Sequence, residues 1–396
     1  MKQLQRKWWS GLALFVAAAL VLAACAPAAT STPQVIKETV EVPVTKEVQV
    51  TQQVIVEVTA VPEPVKIPRV AIIFSGKSQD QSFNQFMYDD AQKLADEGNM
   101  EVSFAEDVTP ADFERVAGDF ASQGYDLVIG HTSDFSEASL KVAAAYPDVN
   151  FAVTGGTTFL PNLAGLNTWT HQASAVAGYL AAKLTKTNTV GIVGAFAFPT
   201  QFVAHEGFKF GVYKANQETL RANRDATQVH CLETFTNTWF DTALGFEAAQ
   251  AQMDQGADYI YITASGAGFG VIQAAEQTQT AKVIGAFTDM NPFAPDVVIT
   301  SVERHAGPPL SAMISDLQTG QFVGKDYAFD LLNGGTSLSP YHNFDTEIPQ
   351  DVKDKVAAFQ ANVVSVKGAF LVPFVTAKLG GETSCEAPIP APTATP

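Results

Sequence analysis

From position 70 onward, short apolar runs alternate with longer segments whose apolar residues recur at three- and four-residue spacing. The short runs at 70–74, 102–105, 127–129, 151–154, 190–193, 227–233, 259–263, 283–287 and 297–301 read as strands. The segments between them carry helix start signals. Ser82-Phe83-Asn84-Gln85 matches a capping box. Thr109-Pro110 places a cap residue before a proline at the first helical position. Phe113, Val116 and Phe120 then share one helical face, and Gly124 ends the segment. Further helices are expected over 175–184 and 243–253, with Gly256 following the second.

Strand–helix–strand repetition implies α/β architecture, with parallel sheets covered on both faces. About 310 residues exceed a usual single core, so two lobes are expected. The first lobe is placed at 68–168 and the second at 169–298. The chain then returns. Segment 299–320, with a helix over 308–319, is assigned to the first lobe, and 321–375 to the second. Repeated crossings make a hinge, and a hinge permits closure around a ligand. Ligands in such sheets bind beyond the C-terminal strand ends, so candidate site residues lie just after each strand.

The two ends have a different texture. Lys2, Arg6 and Lys7 precede an apolar run over 12–24, which is short for a membrane span and suits a signal peptide. It ends in Leu22-Ala23-Ala24-Cys25, which resembles a bacterial lipobox. Segment 1–24 is therefore expected to be removed and Cys25 lipidated. Segment 25–67 is rich in Val, Thr, Glu and Pro, and is read as an extended tether. Segment 376–396 is read as a C-terminal tail. The expected location is the outer face of the cell membrane.

Net charge is −17, with 24 Lys and Arg against 41 Asp and Glu. That balance argues against nucleic acid and most polyanions. Cys231 and Cys385 remain as an even pair in an oxidising compartment. They form either a disulfide pinning the tail to the second lobe or two separate thiols, with Cys231 buried in its strand.

Gly76-Lys77-Ser78 imitates the end of a phosphate-binding loop, but the required earlier glycine is Ala71. Gly266-Ala267-Gly268-Phe269-Gly270, with Asp289 beyond, partly imitates a dinucleotide fingerprint; its third glycine comes one position early. A glycine turn still gives a ligand close backbone approach at Gly266 and Gly268. Asp289, at the next strand end, can accept bonds from ribose hydroxyls. The six histidines show no metal-ligand spacing, and no nucleophile–base set stands out. His205-Glu206 reads as a solvated helix surface. No enzyme, metal or cofactor is expected. Phe83, Tyr88, Phe135, Trp239, Phe240 and Phe269 fall near strand ends, where an aromatic face can sandwich a flat ring.

Several motifs together resemble the basic membrane protein family of ABC-importer substrate-binding lipoproteins, relatives of purine nucleoside receptors. They are Asp80-Gln81-Ser82-Phe83-Asn84, Tyr125-Asp126-Leu127-Val128-Ile129-Gly130, Ala145-Tyr146-Pro147-Asp148 with Phe151-Ala152-Val153, and His171-Gln172-Ala173-Ser174 with Ala177-Gly178. Thr238-Trp239-Phe240-Asp241, Gln255-Gly256-Ala257-Asp258, and Gly285 with Asp289 complete the set. The similarity runs over about 68–375. It implies a type I periplasmic-binding-protein fold, two doubly wound parallel-sheet lobes with a hinge and an interlobe cleft.

The resemblance also implies a purine nucleoside as ligand. Asn84 would bond the purine edge, with Asp80 nearby. Phe83 or Tyr88, and Trp239 or Phe240, would clamp the ring, and Asp289 would take the ribose. The rival reading of Asp80 and Asn84 is helix capping. Departures are His131-Thr132-Ser133-Asp134, where relatives often have a glycine-rich stretch, and Arg304, near a position where nucleoside-binding relatives carry lysine. Asp134 and Arg304 are kept as ligand-binding candidates. The expected partners of this monomer are a nucleoside-like ligand, an ABC permease and, through its lipid, a membrane. A ligand-sensing lipoprotein reporting to a membrane receptor or kinase uses the same fold; only the partner separates the two.

Overall fold

The computed structural model describes residues 66–197, 199–365 and 385–388. The signal segment, Cys25, nearly all of the expected tether and most of the tail lie outside them. The chain opens with β1 (Arg69–Ile73), α1 (Phe83–Asp96), β2 (Glu101–Ala105), α2 (Pro110–Ser122), β3 (Leu127–Gly130), α3 (Ser136–Ala145), β4 (Asn150–Thr154) and β5 (Leu163–Thr168). Helix α4 (His171–Leu184) carries it to β6 (Thr189–Gly194), α5 (Pro199–Ala222), β7 (His230–Phe235), α6 (Thr242–Asp254), β8 (Tyr259–Thr263), α7 (Gly268–Thr278), β9 (Lys282–Phe287) and β10 (Val298–Arg304). Then follow α8 (Gly307–Gln318), β11 (Asp326–Phe329), β12 (Thr336–Leu338) and α9 (Gln350–Ser365).

Two six-stranded sheets result, ordered β2-β1-β3-β4-β5-β11 and β7-β6-β8-β9-β10-β12. Pairing is parallel except where β12 runs antiparallel to β10. The return differs from expectation at both boundaries. Residues 299–304 extend β10 beside β9 in the second sheet, so the chain leaves that sheet only after Arg304. Residues 326–329 form β11 against β5 in the first sheet rather than joining the second.

Period-two alternation explains the layers. Val70 and Ile72 of β1 join a core with Met87 of α1 and with Leu310 and Met313 of α8. Ala71 and Ile73 point the other way, toward Phe113 and Ala117 of α2 and Val142 of α3. In the second sheet Val190 and Ile192 meet Ala177 of α4 and Phe208 and Val212 of α5. Val193 turns to Ala249 and Val271 on the opposite side. The cluster holding Val70 and Ile72 also contains Val190, Ile284 and Ile299, so one apolar core joins both sheets through α4. Helices α4 and α5 approach closely there: a Cβ on Gly211 would lie 1.9 Å from the Ala175 carbonyl.

Cys231 and Cys385 form a disulfide with a Cα–Cα distance of 5.9 Å. Thr109 caps α2 as its sequence suggests, accepting from the Asp112 N–H at 3.2 Å. Two local expectations are corrected. Ser82 makes no side-chain cap at α1. His205 and Glu206 are buried rather than solvated, because α5 lays this turn against the second sheet. There His205 bonds Glu233 of β7 at 2.6 Å and Thr263 of β8 at 2.7 Å.

Candidate functional site

The C-terminal strand ends of both sheets meet around α1. Asp80 lies just before this helix and does the capping that Ser82 does not. Its Oδ1 accepts the N–H groups of Ser82 at 2.8 Å, Asn84 at 3.0 Å and Gln85 at 3.0 Å. Gln81 adopts φ 58°, and this left-handed turn folds the carboxylate back over the helix start. Three N–H groups that would otherwise lack partners are thereby satisfied. Asp80→Ala is expected to cost about 1–2 kcal/mol, read by urea unfolding. An unchanged midpoint would remove the capping role.

Asn84 donates from Nδ2 to the Lys77 carbonyl at 2.8 Å, while its buried Oδ1 has no partner among the described residues. Phe83 stacks on His131, with ring centroids 4.4 Å apart and planes within 17°. His131 is fully buried at the end of β3. The Phe83 carbonyl can only accept, so Nε2 carries the proton and donates to it at 2.9 Å. The Thr154 hydroxyl then donates to Nδ1, also at 2.9 Å. Burial holds the imidazole down at about 3, so it is neutral at physiological pH.

The aromatic contacts cross between the lobes. Phe83 meets Phe287 of β9 edge-on at 5.7 Å, and the Arg304 guanidinium lies 5.3 Å from the Phe287 ring centroid. His131, Phe83, Phe287 and Arg304 thus form a ladder from the first sheet to the second. Two polar contacts accompany it. Ser265 donates to Ser82 and Thr288 donates to the Gln81 carbonyl, each at 3.3 Å. Gln81, Ser265 and Phe287 all have left-handed backbones, at φ 58°, 49° and 74°. Such residues cost about 1–3 kcal/mol each and gather at ligand clamps.

Beside the ladder opens a recess of about 370 Å³. This is at the small end of ligand pockets. Gln81, Gln85, Phe86, Asp89 and Asp90 line it from the first lobe. Phe287, Thr288, Asp289, Phe293 and the run 303–305 line it from the second. Its carboxylates are engaged by neighbours. Asp289 accepts from His342 at 2.7 Å, Asp90 from the Gly307 N–H at 3.0 Å and Glu303 from Ser337 at 2.9 Å.

Among the sequence candidates, Phe83, Asp289 and Arg304 come together at the ladder and recess. Tyr88 does not: it packs on Phe104 at 4.9 Å, toward β2. Asp134 is exposed on a short turn after β3. Trp239 packs edge-on to Phe196 at 5.4 Å, and Phe240 beside it is 67% exposed. Both lie by Gly266 rather than in the recess. Gly268 serves packing, since a Cβ there would lie 2.4 Å from Ile262. His131, Phe287, Gln81 and Glu303 were missed as site residues. Their position at strand ends was the available signal for three of them; Gln81 lies further into its loop.

The chain has relatives among known proteins. Residues 67–368 match the family model described as ABC transporter substrate-binding protein PnrA-like. The purine-binding protein of Brucella abortus is 26% identical over 301 residues, covering 75% of this chain and 81% of that protein. An ABC transporter solute-binding protein from Conexibacter woesei is 29% identical, with a TM-score of 0.62 over 76% of this chain and 97% of that one. One from Aeropyrum pernix shares the fold at TM-score 0.66 and 22% identity, over 76% and 92%. The α/β fold of two parallel-dominated sheets, the interlobe recess and the match over residues 67–368 lead to one conclusion: the chain belongs to the PnrA-like family of ABC transporter substrate-binding proteins.

Proposed function

We propose that this protein captures a purine nucleoside between its lobes and delivers it to an ABC permease while tethered to the membrane through a lipid on Cys25. Its family is one of solute-binding proteins, so it binds its ligand and does not transform it. The observation that carries the ligand reading is the ladder at the recess. A flat ring system suits a site walled by Phe86, Phe287 and Phe293, with Phe83 behind Phe287 and a guanidinium at its edge. The purine-binding relative supports the same class. Four carboxylates around the recess, Asp89, Asp90, Asp289 and Glu303, suit hydroxyl and amino donors and oppose a phosphate. The lipobox at Cys25 supports the tether.

Thermal unfolding of the full-length protein in detergent tests the ligand. A nucleoside at 100 times its Kd adds about 2.7 kcal/mol, which raises Tm measurably. Guanosine, inosine or adenosine is expected to raise it, and the matching monophosphate to raise it less. No shift with any nucleoside would overturn the reading.

A further inference from the structure

We infer that Arg304 reads one edge of the captured purine and selects a 6-oxopurine nucleoside, guanosine or inosine, over a 6-aminopurine one. This rests on the nucleoside reading above and refines it.

Arg304 is the last residue of β10. Its neighbours on either side are tied to β12. Ser337 donates to Glu303 at 2.9 Å and therefore accepts from His305 Nε2 at 2.7 Å. Strand alternation sends Arg304 the other way, onto the Phe287 ring. That ring is held by the left-handed backbone of Phe287 and by its contact with Phe83. The guanidinium is thus a positioned planar fork at the end of an aromatic ladder.

The fork is half-buried and no carboxylate among the described residues pairs with it. Asp289 is turned to His342, Glu303 to Ser337 and Asp90 to the start of α8. None of its hydrogen-bond donors is used by a described residue. A withdrawn guanidinium needs acceptors, and here the ligand is what supplies them. Those acceptors are neutral, because an anion would sit among the same carboxylates. A neutral planar partner with two adjacent acceptors is the O6 and N7 edge of a 6-oxopurine, which matches an arginine fork with two parallel bonds. On the same edge a 6-aminopurine puts an N6 amino donor beside N7, so one arm of the fork meets a donor.

Isothermal titration of the full-length protein in detergent tests this with guanosine, inosine, adenosine and 7-deazaguanosine. Guanosine and inosine are expected to bind about 10- to 100-fold more tightly than adenosine, the range for one bidentate contact. Replacing N7 by carbon removes one acceptor, so 7-deazaguanosine is expected to bind more weakly than guanosine, with no change to the protein. In Arg304→Met guanosine weakens and adenosine gains, so the two converge. Arg304→Lys keeps the charge without the fork and is expected to retain only part of the preference.

Adenosine binding as tightly as guanosine would overturn the inference and leave the nucleoside reading standing. So would 7-deazaguanosine matching guanosine, or Arg304→Met weakening every nucleoside equally. Failure of all nucleosides to bind would overturn both.

Discussion

Serine at both Cys231 and Cys385 is expected to lower stability by about 2–5 kcal/mol. The bridge joins positions 154 residues apart. In the chain-entropy account a loop of that length restrains the unfolded chain by about 5 kcal/mol, the upper end of what disulfides deliver. Its surroundings are built to hold the tail segment. Asn216 donates to the Val229 and Cys385 carbonyls, both at 2.9 Å, and accepts the Val229 N–H at 2.8 Å. The Ala387 N–H donates to Gln228 at 2.7 Å, and Glu386 pairs with His230 at 2.7 Å. These bonds lie at the start of β7, away from the strand ends that form the recess. Ligand affinity is therefore expected to survive in conditions where the variant stays folded. Urea unfolding with and without reductant checks both points. A midpoint indifferent to reductant would show that the bridge contributes nothing.

Lys209→Met is expected to be as severe, at about 3–5 kcal/mol. The Lys209 ammonium is buried between Glu206 at 3.2 Å and Glu233 at 2.5 Å. Removing it leaves carboxylates of a buried network without their cation, and that uncompensated charge is the main cost. The pH dependence identifies the cause. Burial alone pushes the Glu233 carboxyl up, but bonds from His205 and Lys209 outweigh it and hold it down at about 2. A depressed carboxylate contributes stability above its unfolded value near 4.5, and that contribution is lost as pH falls toward about 2. In Lys209→Met the carboxylate has lost a partner and is protonated at higher pH. The gap between variant and native protein is therefore expected to narrow as pH falls from 6 to 3. A gap that stays constant over that range would mean lost packing rather than lost charge.

The strands legible in the sequence were those with apolar runs or with apolar residues at alternate positions. The missed ones lack such runs. β5 is Leu163-Ala-Gly-Leu-Asn-Thr, fully buried yet interrupted by Gly165 and Asn167. Those residues are poor strand formers, and the strand is held by its neighbours on both sides. β11 and β12 have four and three residues, too few for a period to show. Overlooking β11 also displaced the expected return to the second lobe.

At the candidate site, proximity to strand ends pointed to Phe83 and Asp289, and the family resemblance pointed to Arg304. Tyr88 could have been set aside from sequence alone. It follows Phe83 by five residues, roughly 140° around the helix, whereas Phe86 is only about 60° away. The capping role of Asp80 was weighed but not the left-handed Gln81 that makes it work, because a polar residue there signals nothing about φ. The burial of His205 was illegible for a different reason: its partners Glu233 and Thr263 come from strands 28 and 58 residues away.

The threefold passage of the chain between its two sheets, after β5, after β10 and after β11, has a consequence for how new specificities arise. Neither sheet is one continuous stretch of gene. A recombination event with a single junction leaves at least one sheet a hybrid of two parents, with mismatched core residues. Exchange of whole halves between relatives is therefore a poor route to a new ligand. Divergence runs instead through single substitutions at the strand ends, where a residue such as Arg304 can change while the sheet behind it stays the same.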